Sequence, residues 1–212
     1  MGIASKAVKV CHHCHRSISY IASTIQANSD LSRGFSLKEN FVTQAEEQSI
    51  IEEINPRLLR RKYNKGHWDG AIVLYREMEK KEWTERNAAV MKRFEQHVFG
   101  GEENSLSETH ILDLSPEGLI KPHIDSIKFC GALVSGLSLM SDAVMRLTLD
   151  EENYVDVYIP ERSLYIMSNA IRYKYTHEIL PSPTTVGDRT VERTRRITVM
   201  KRSKENSHSC EV

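Results

Sequence analysis

The spacing of apolar residues along this chain changes character once, near residue 105. Before that point it is helical. Ile50, Ile51 and Ile54 follow Thr43 and Glu46, a pair spaced as a capping box, and Pro56 is expected to end the helix. A second helix is predicted over 84–98, with Val90, Met91, Phe94 and Val98 on one face and Gly100 and Gly101 beyond its end. After residue 105 the period becomes two. Strands are expected over 110–114, 119–123, 144–149, 154–159, 164–167, 173–179 and 196–201, punctuated by Pro116, Gly118, Pro160, Asn169, Pro181 and Pro183. Helices first and many short strands after predict a mainly β, α+β fold: a jelly roll (double-stranded β-helix) buttressed by flanking helices.

Composition adds a boundary at the front. The first 29 residues hold no Asp or Glu, three basic residues (Lys6, Lys9 and Arg16) and five serines. Such a stretch reads as a mitochondrial targeting presequence, expected over 1–33. The folded domain is then expected over 34–205, with a polar tail at 206–212. Cys11-His12-His13-Cys14-His15 looks like a metal site, but a structural zinc site needs a second ligand pair downstream, and none follows. Four cysteines in 212 residues are no disulfide framework. The 29 basic and 29 acidic residues cancel, which gives no global attraction to nucleic acid. Locally, Arg57, Arg60, Arg61, Lys62 and Lys65 form a basic cluster, either a solvated helix end or a phosphate contact. No apolar run reaches the roughly 20 residues needed to span a bilayer, so no stable membrane insertion is expected, and a single domain of this size is expected to be a monomer.

The candidate chemistry lies in the β-rich part. His123-Ile124-Asp125 ends a predicted strand, whose alternation puts residues 123 and 125 on one face. His177 follows within another predicted strand. Two histidines and a carboxylate are the protein ligands of a non-haem Fe(II) site with open positions for substrate and oxygen. A second triplet, His67-Trp68-Asp69, falls in the helical part and reads as a loop. Arg196 and Arg202 are six apart, on one face of a strand, and a guanidinium fork suits the dicarboxylate co-substrate such a site uses. Arg189 and Arg195 share that spacing, so the residues alone leave two pairs open. Tyr165 carries a hydroxyl on an otherwise apolar strand, where a carboxylate partner and plain core packing are both open.

These residues resemble the AlkB family of Fe(II)/2-oxoglutarate-dependent dioxygenases, and most closely a mitochondrial branch of it. The resemblance runs from about residue 36 to 203. It is most specific in Ile120-Lys121-Pro122-His123-Ile124-Asp125-Ser126-Ile127-Lys128-Phe129-Cys130-Gly131, with support from His67–Ile72, Gly136–Leu139, Ser163–Ile166, Thr176–Leu180 and Arg195–Val199. It implies His123, Asp125 and His177 as iron ligands, and Tyr165, Arg196, Thr198 and Arg202 around 2-oxoglutarate, which decides between the arginine pairs. It implies Fe(II), 2-oxoglutarate and O2 as the reaction's requirements and the mitochondrial matrix as the address. Thr176 and the loop at 181–194 depart from the pattern and put the outer substrate surface in doubt. The resemblance favours a protein hydroxylase acting on a mitochondrial protein, linked to fatty-acid metabolism and to regulated necrosis after alkylation damage. A mitochondrial RNA/DNA oxidative demethylase and a non-enzymatic scaffold with a vestigial iron site are the alternatives.

Overall fold

The computed structural model describes residues 20–67 and 70–205. The chain runs β1 (Tyr20–Ala22), α1 (Ile25–Gly34), β2 (Phe35–Lys38), α2 (Gln44–Leu58), β3 (Ile72–Lys80) and α3 (Glu85–Phe99). There follow β4 (Thr109–His123), β5 (Val134–Leu139), β6 (Ala143–Thr148), β7 (Tyr154–Ile159) and β8 (Ser163–Met167). The short helix α4 (Asn169–Tyr173) leads to β9 (Thr176–Ile179), the hairpin β10 (Thr184–Val186) and β11 (Arg189–Val191), and β12 (Arg196–Arg202).

Ten strands form one curled antiparallel sheet, ordered β1-β7-β6-β9-β4-β12-β5-β8-β2, with β3 also on β4. The curl is made by β4. Its first half pairs with β12, Leu114 opposite Arg196 through His110 opposite Met200. Its second half pairs with β9, Ile120 opposite Ile179 and His123 opposite His177. Two layers result, closed on an interior that holds Leu112, Leu114, Ile120, Met145, Leu147 and Tyr165. The outer face of the β12 layer packs on α2 and α3: Ile111, Leu137, Leu139, Ile197 and Val199 meet Ile50, Ile54, Val90 and Phe94. Alternation along β12 therefore sends Ile197 and Val199 to the helices and leaves Arg196, Thr198, Met200 and Arg202 lining the interior cavity. This is the expected mainly β jelly roll with helices on one side.

The helical expectations hold at both starts. Thr43 and Glu46 make both bonds of the capping box, and Gly100 ends α3 at φ 75°. Pro56 does not stop α2, which runs on to Leu58 with the proline inside it. The proline removes one amide donor near the end of a helix whose Ile54 and Leu58 are buried, so tertiary packing outweighs the break. Residues 173–175, expected as strand, belong to α4 and the turn after it.

Six strands are additional to those predicted: β1, β2, β3, β5, β10 and β11. The strand β3 reads as charged (Tyr75-Arg76-Glu77-Met78-Glu79-Lys80), yet Arg76 is buried against Asp113, its Nε 2.7 Å from Oδ2. Asp113 also receives Arg195 and the Tyr63 hydroxyl, so the charge is satisfied inside. The strand β5 is buried along its whole length, and its Ser and Gly hide it from an apolar count.

Residues 1–19 of the expected presequence, including Cys11–His15, lie outside the described residues, as does the tail at 206–212. Residues 20–33 of that expected segment form β1, paired with β7, and α1, whose Ala27 and Leu31 are buried in the core. Lack of acidic residues did not separate targeting sequence from an amphipathic element of the domain. No described helix is long and apolar enough to cross a membrane.

Candidate metal centre

The sequence-predicted residues meet at one place. A nitrogen or oxygen from each of His123, Asp125 and His177 lies within 4.8 Å of the others, the one such His/Cys/Asp/Glu group among the described residues. Strand pairing supplies the two histidines directly, and Asp125 follows two residues after His123. Asp125 Oδ1 stands 3.6 Å from His123 Nε2 and 3.8 Å from His177 Nε2, too long for hydrogen bonds and suited to donors that share a cation. His123 Nδ1 sits 2.9 Å from the Lys121 carbonyl. A carbonyl only accepts, so Nδ1 carries the proton and Nε2 presents its lone pair to the cavity.

Electrostatics prepare the same set. Burial, then the neighbouring His123, push His177 down to about 4, which keeps it a neutral donor. Burial pushes the Asp125 carboxyl up, but the Arg202 guanidinium and both histidines outweigh it and hold it well below the usual carboxylate range. Arg202 Nε donates to Asp125 Oδ2 at 2.8 Å.

Beside this group a cavity of about 190 Å³ is walled by Leu112, Ile120, Met145 and Ile179. At its base Arg196, 2% exposed, donates Nε to Ser138 Oγ at 3.0 Å. Its Nη2 and the Thr198 hydroxyl are buried without partners, and both residues line the cavity. Buried orphan donors are rare and costly unless a ligand completes them. Tyr165 is 5% exposed in the same wall, and burial pushes its phenol up, so it stays a neutral donor. A carboxylate, with two acceptor oxygens, fits Arg196 and Thr198. The His, Asp and His donor set fits Fe(II).

The cavity mouth holds residues that the sequence did not single out. Glu77 on β3 accepts from His110 Nε2 at 2.8 Å, with His67 Nε2 3.9 Å from its other oxygen, and the His110 bond holds Glu77 low. Reading β3 as a strand would have shown Tyr75, Glu77 and Glu79 on one face. Across the mouth, residues 124–129 carry the exposed side chains Ile124, Ile127 and Phe129. The basic cluster lies at the end of α2 and in the turn after it, where Arg61 Nη1 donates to the Glu77 carbonyl.

A jelly roll that converges two histidines and a carboxylate beside an unsatisfied buried arginine defines the class: an iron- and 2-oxoglutarate-dependent oxygenase. Solved structures share the fold. The structure of OsALKBH1 matches at TM-score 0.60 with 15% identity, covering 80% of this chain and 97% of its own. A Pseudomonas putida prolyl-4-hydroxylase matches at 0.59 with 15% identity, covering 85% of this chain and 98% of its own. No protein-family model matches the chain. The mitochondrial alpha-ketoglutarate-dependent dioxygenase alkB homolog 7 of Bos taurus is 43% identical over 170 residues, 79% of this chain and 77% of its own length. The chain belongs to the alkB homolog 7 family of alpha-ketoglutarate-dependent dioxygenases. It is an enzyme using Fe(II), 2-oxoglutarate and O2, which sets aside the scaffold reading.

Proposed function

We propose that this chain is a protein hydroxylase of the mitochondrial matrix, with His123, Asp125 and His177 as iron ligands. Tyr165, Arg196, Thr198 and Arg202 surround 2-oxoglutarate. When bound, Fe(II) couples oxidative decarboxylation of 2-oxoglutarate to succinate with oxidation of a substrate C–H bond. The two imidazoles bind as neutral donors and Asp125 offsets charge. Arg196 grips the far carboxylate of the co-substrate, Thr198 and Tyr165 orient it, and Arg202 keeps Asp125 ionised. Leu112, Ile120, Met145 and Ile179 exclude water.

The observation that carries this reading is the orphaned Arg196 and Thr198 donors beside the three converging ligand side chains. A protein substrate is favoured by the mouth. Three of its five exposed side chains on the 124–129 segment are apolar (Ile124, Ile127, Phe129), beside Ser126 and Lys128. Upstream of β4, the described strands β1, β2 and β3 pair with β7, β8 and β4 and not with one another, so they form no β-hairpin of interleaved aromatics to clamp a flipped base. The family resemblance adds the link to fatty-acid metabolism and regulated necrosis. Cleavage of the expected presequence at 33 would remove β1 and α1 from the core, which favours a presequence ending before Tyr20.

A second reading, an RNA demethylase, draws on one feature. Arg57 and Arg61 line a groove that shares Glu77, His110 and Arg202 with the cavity, which gives phosphates a route past the mouth. Mass spectrometry of matrix proteins and mitochondrial RNA, with and without active enzyme, separates the two. A gain of one oxygen on a protein supports the hydroxylase; loss of a methyl from RNA with no protein change overturns it.

A further inference from the structure

One buried cation lies outside the cavity lining and still reaches the site. Arg172, in α4, is 2% exposed. All four hydrogen bonds of its guanidinium go to backbone carbonyls of one loop, and among the described residues none goes to a carboxylate. Nη1 donates to Asp125 O at 2.9 Å, Nη2 to Ser126 O and Cys130 O at 3.3 Å each, and Nε to Gly131 O at 3.3 Å. The same guanidinium stands 5.2 Å from the centre of the Tyr173 ring.

The loop needs such a clip. Residues 126–129 are all exposed, so apolar burial does not hold them; Cys130 is the next buried side chain. Among the described residues, the loop's exit has one backbone tie, Gly131 N to Ser203 O at 2.9 Å. Burying a guanidinium costs several kcal/mol unless its donors are satisfied, so packing alone gives no reason for arginine at this position. What arginine offers is a rigid fork of five donors, which reaches both ends of the loop together. A lysine reaches one end at a time.

The clip is itself anchored. Ser168 N, at the start of α4, donates to Gly34 O at 2.8 Å. A Cβ on Gly34 would sit 2.7 Å from Ser168 O and 2.8 Å from Ile171 Cγ1, so α1 and α4 meet only because residue 34 has no side chain. Arg172 thus transmits a fixed reference from the α1–α4 contact to the segment that starts at Asp125.

We propose that Arg172 is a positioning residue for the metal centre: by pinning both ends of the 125–131 loop it fixes Asp125 in register with His123 and His177. This rests on Asp125 being a metal ligand. The full chain is compared with Arg172→Met, Arg172→Lys and Asn87→Ala. Asn87 is buried between α2 and α3, remote from the loop, so its variant controls for general destabilisation.

Two quantities are read: affinity for Mn(II) as an air-stable probe, and the rate of tryptic cleavage after Lys128 in metal-free protein. Arg172→Met is expected to weaken Mn(II) binding about tenfold or more and to speed the cleavage by about the same factor, with partial recovery in Arg172→Lys. Asn87→Ala is expected to lower Tm while leaving both within about twofold. Where Arg172→Met does not fold, Arg172→Lys carries the comparison. Parental values for both quantities in the Arg172 variant overturn the proposal. So does faster cleavage with unchanged Mn(II) affinity, or an Asn87→Ala effect as large as that of Arg172→Met. Asp125→Ala separates the two readings: Mn(II) binding that survives it refutes the ligand assignment, while the cleavage rate still judges the clip.

Discussion

His123 and His177 face each other as direct partners across the β4–β9 pairing, their ring centroids 4.2 Å apart. The juxtaposition of the two imidazoles is therefore a property of strand register and not of loop conformation. Replacing either with Ala should lower Mn(II) affinity by about 100-fold or more and abolish 2-oxoglutarate-dependent succinate release. Calorimetry and NMR of the product check the two halves separately. Retained turnover in either variant would refute the ligand set.

The co-substrate end is tested by its orphan donors. Arg196→Met removes a charge-assisted pair worth about 2–3 kcal/mol, so the KM for 2-oxoglutarate should rise by roughly 30- to 150-fold. Thr198→Val removes one neutral bond and should raise it by roughly 3- to 10-fold. Both variants should keep the Mn(II) affinity of the parent, because neither residue belongs to the three-ligand group.

Gly136 offers a steric route to the same subsite. A Cβ there would lie 2.4 Å from Tyr165 Cζ and from its hydroxyl oxygen. Gly136→Ala must displace the Tyr165 ring, which is directly across the β5–β8 pairing. The expected result is a rise in the KM for 2-oxoglutarate of about tenfold, reversed in part by the double variant Gly136→Ala/Tyr165→Phe. Unchanged KM in Gly136→Ala would show that Tyr165 does not touch the co-substrate.

Acid stability has an identifiable source at the helix layer. Glu53 on α2 accepts from the Thr84 amide and hydroxyl and from Asn87 Nδ2, at 3.0, 2.6 and 2.6 Å. Burial pushes its carboxyl up, but those bonds and Lys80 outweigh it and hold it at about 2, against an ordinary 4.5. The folded value is depressed, so the contribution is full above 4.5 and fades as pH falls toward 2. It should amount to no more than about 3 kcal/mol, and less where solvent screens this partly buried group. Glu53→Gln should flatten the decline of Tm between pH 4.5 and 2, measured against the parent at constant ionic strength; a parallel decline would remove Glu53 as the cause.

The legible and hidden parts of this fold divide on physical lines. The strands β7 and β12 are buried on both faces, yet polar residues line one of them, so they still alternate in sequence and are found from it. In β5 Ser135, Gly136 and Ser138 interrupt the apolar residues, and β3 buries a guanidinium on Asp113, so neither shows the expected alternation of apolar and polar residues. The convergence of His123, Asp125 and His177 was readable because strand period and chemistry coincide at residues 123 and 125. Glu77, His110 and Arg172 were not readable, since their roles depend on which elements the fold brings beside them. The α1 segment was hard to place because its buried Ala27 and Leu31 are few and Asp30 is its one acidic residue, so its start shares the composition of a targeting sequence.

One strand measures both subsites. Because β4 is laced to β12 along its first half and to β9 along its second, a slip of one residue would invert its faces throughout. His123 would turn out of the cavity in the same event that broke the alignment of β4 with the Arg196 strand. Misfolded molecules should therefore lose iron and co-substrate together, leaving a population divided into competent and inert enzyme with little between.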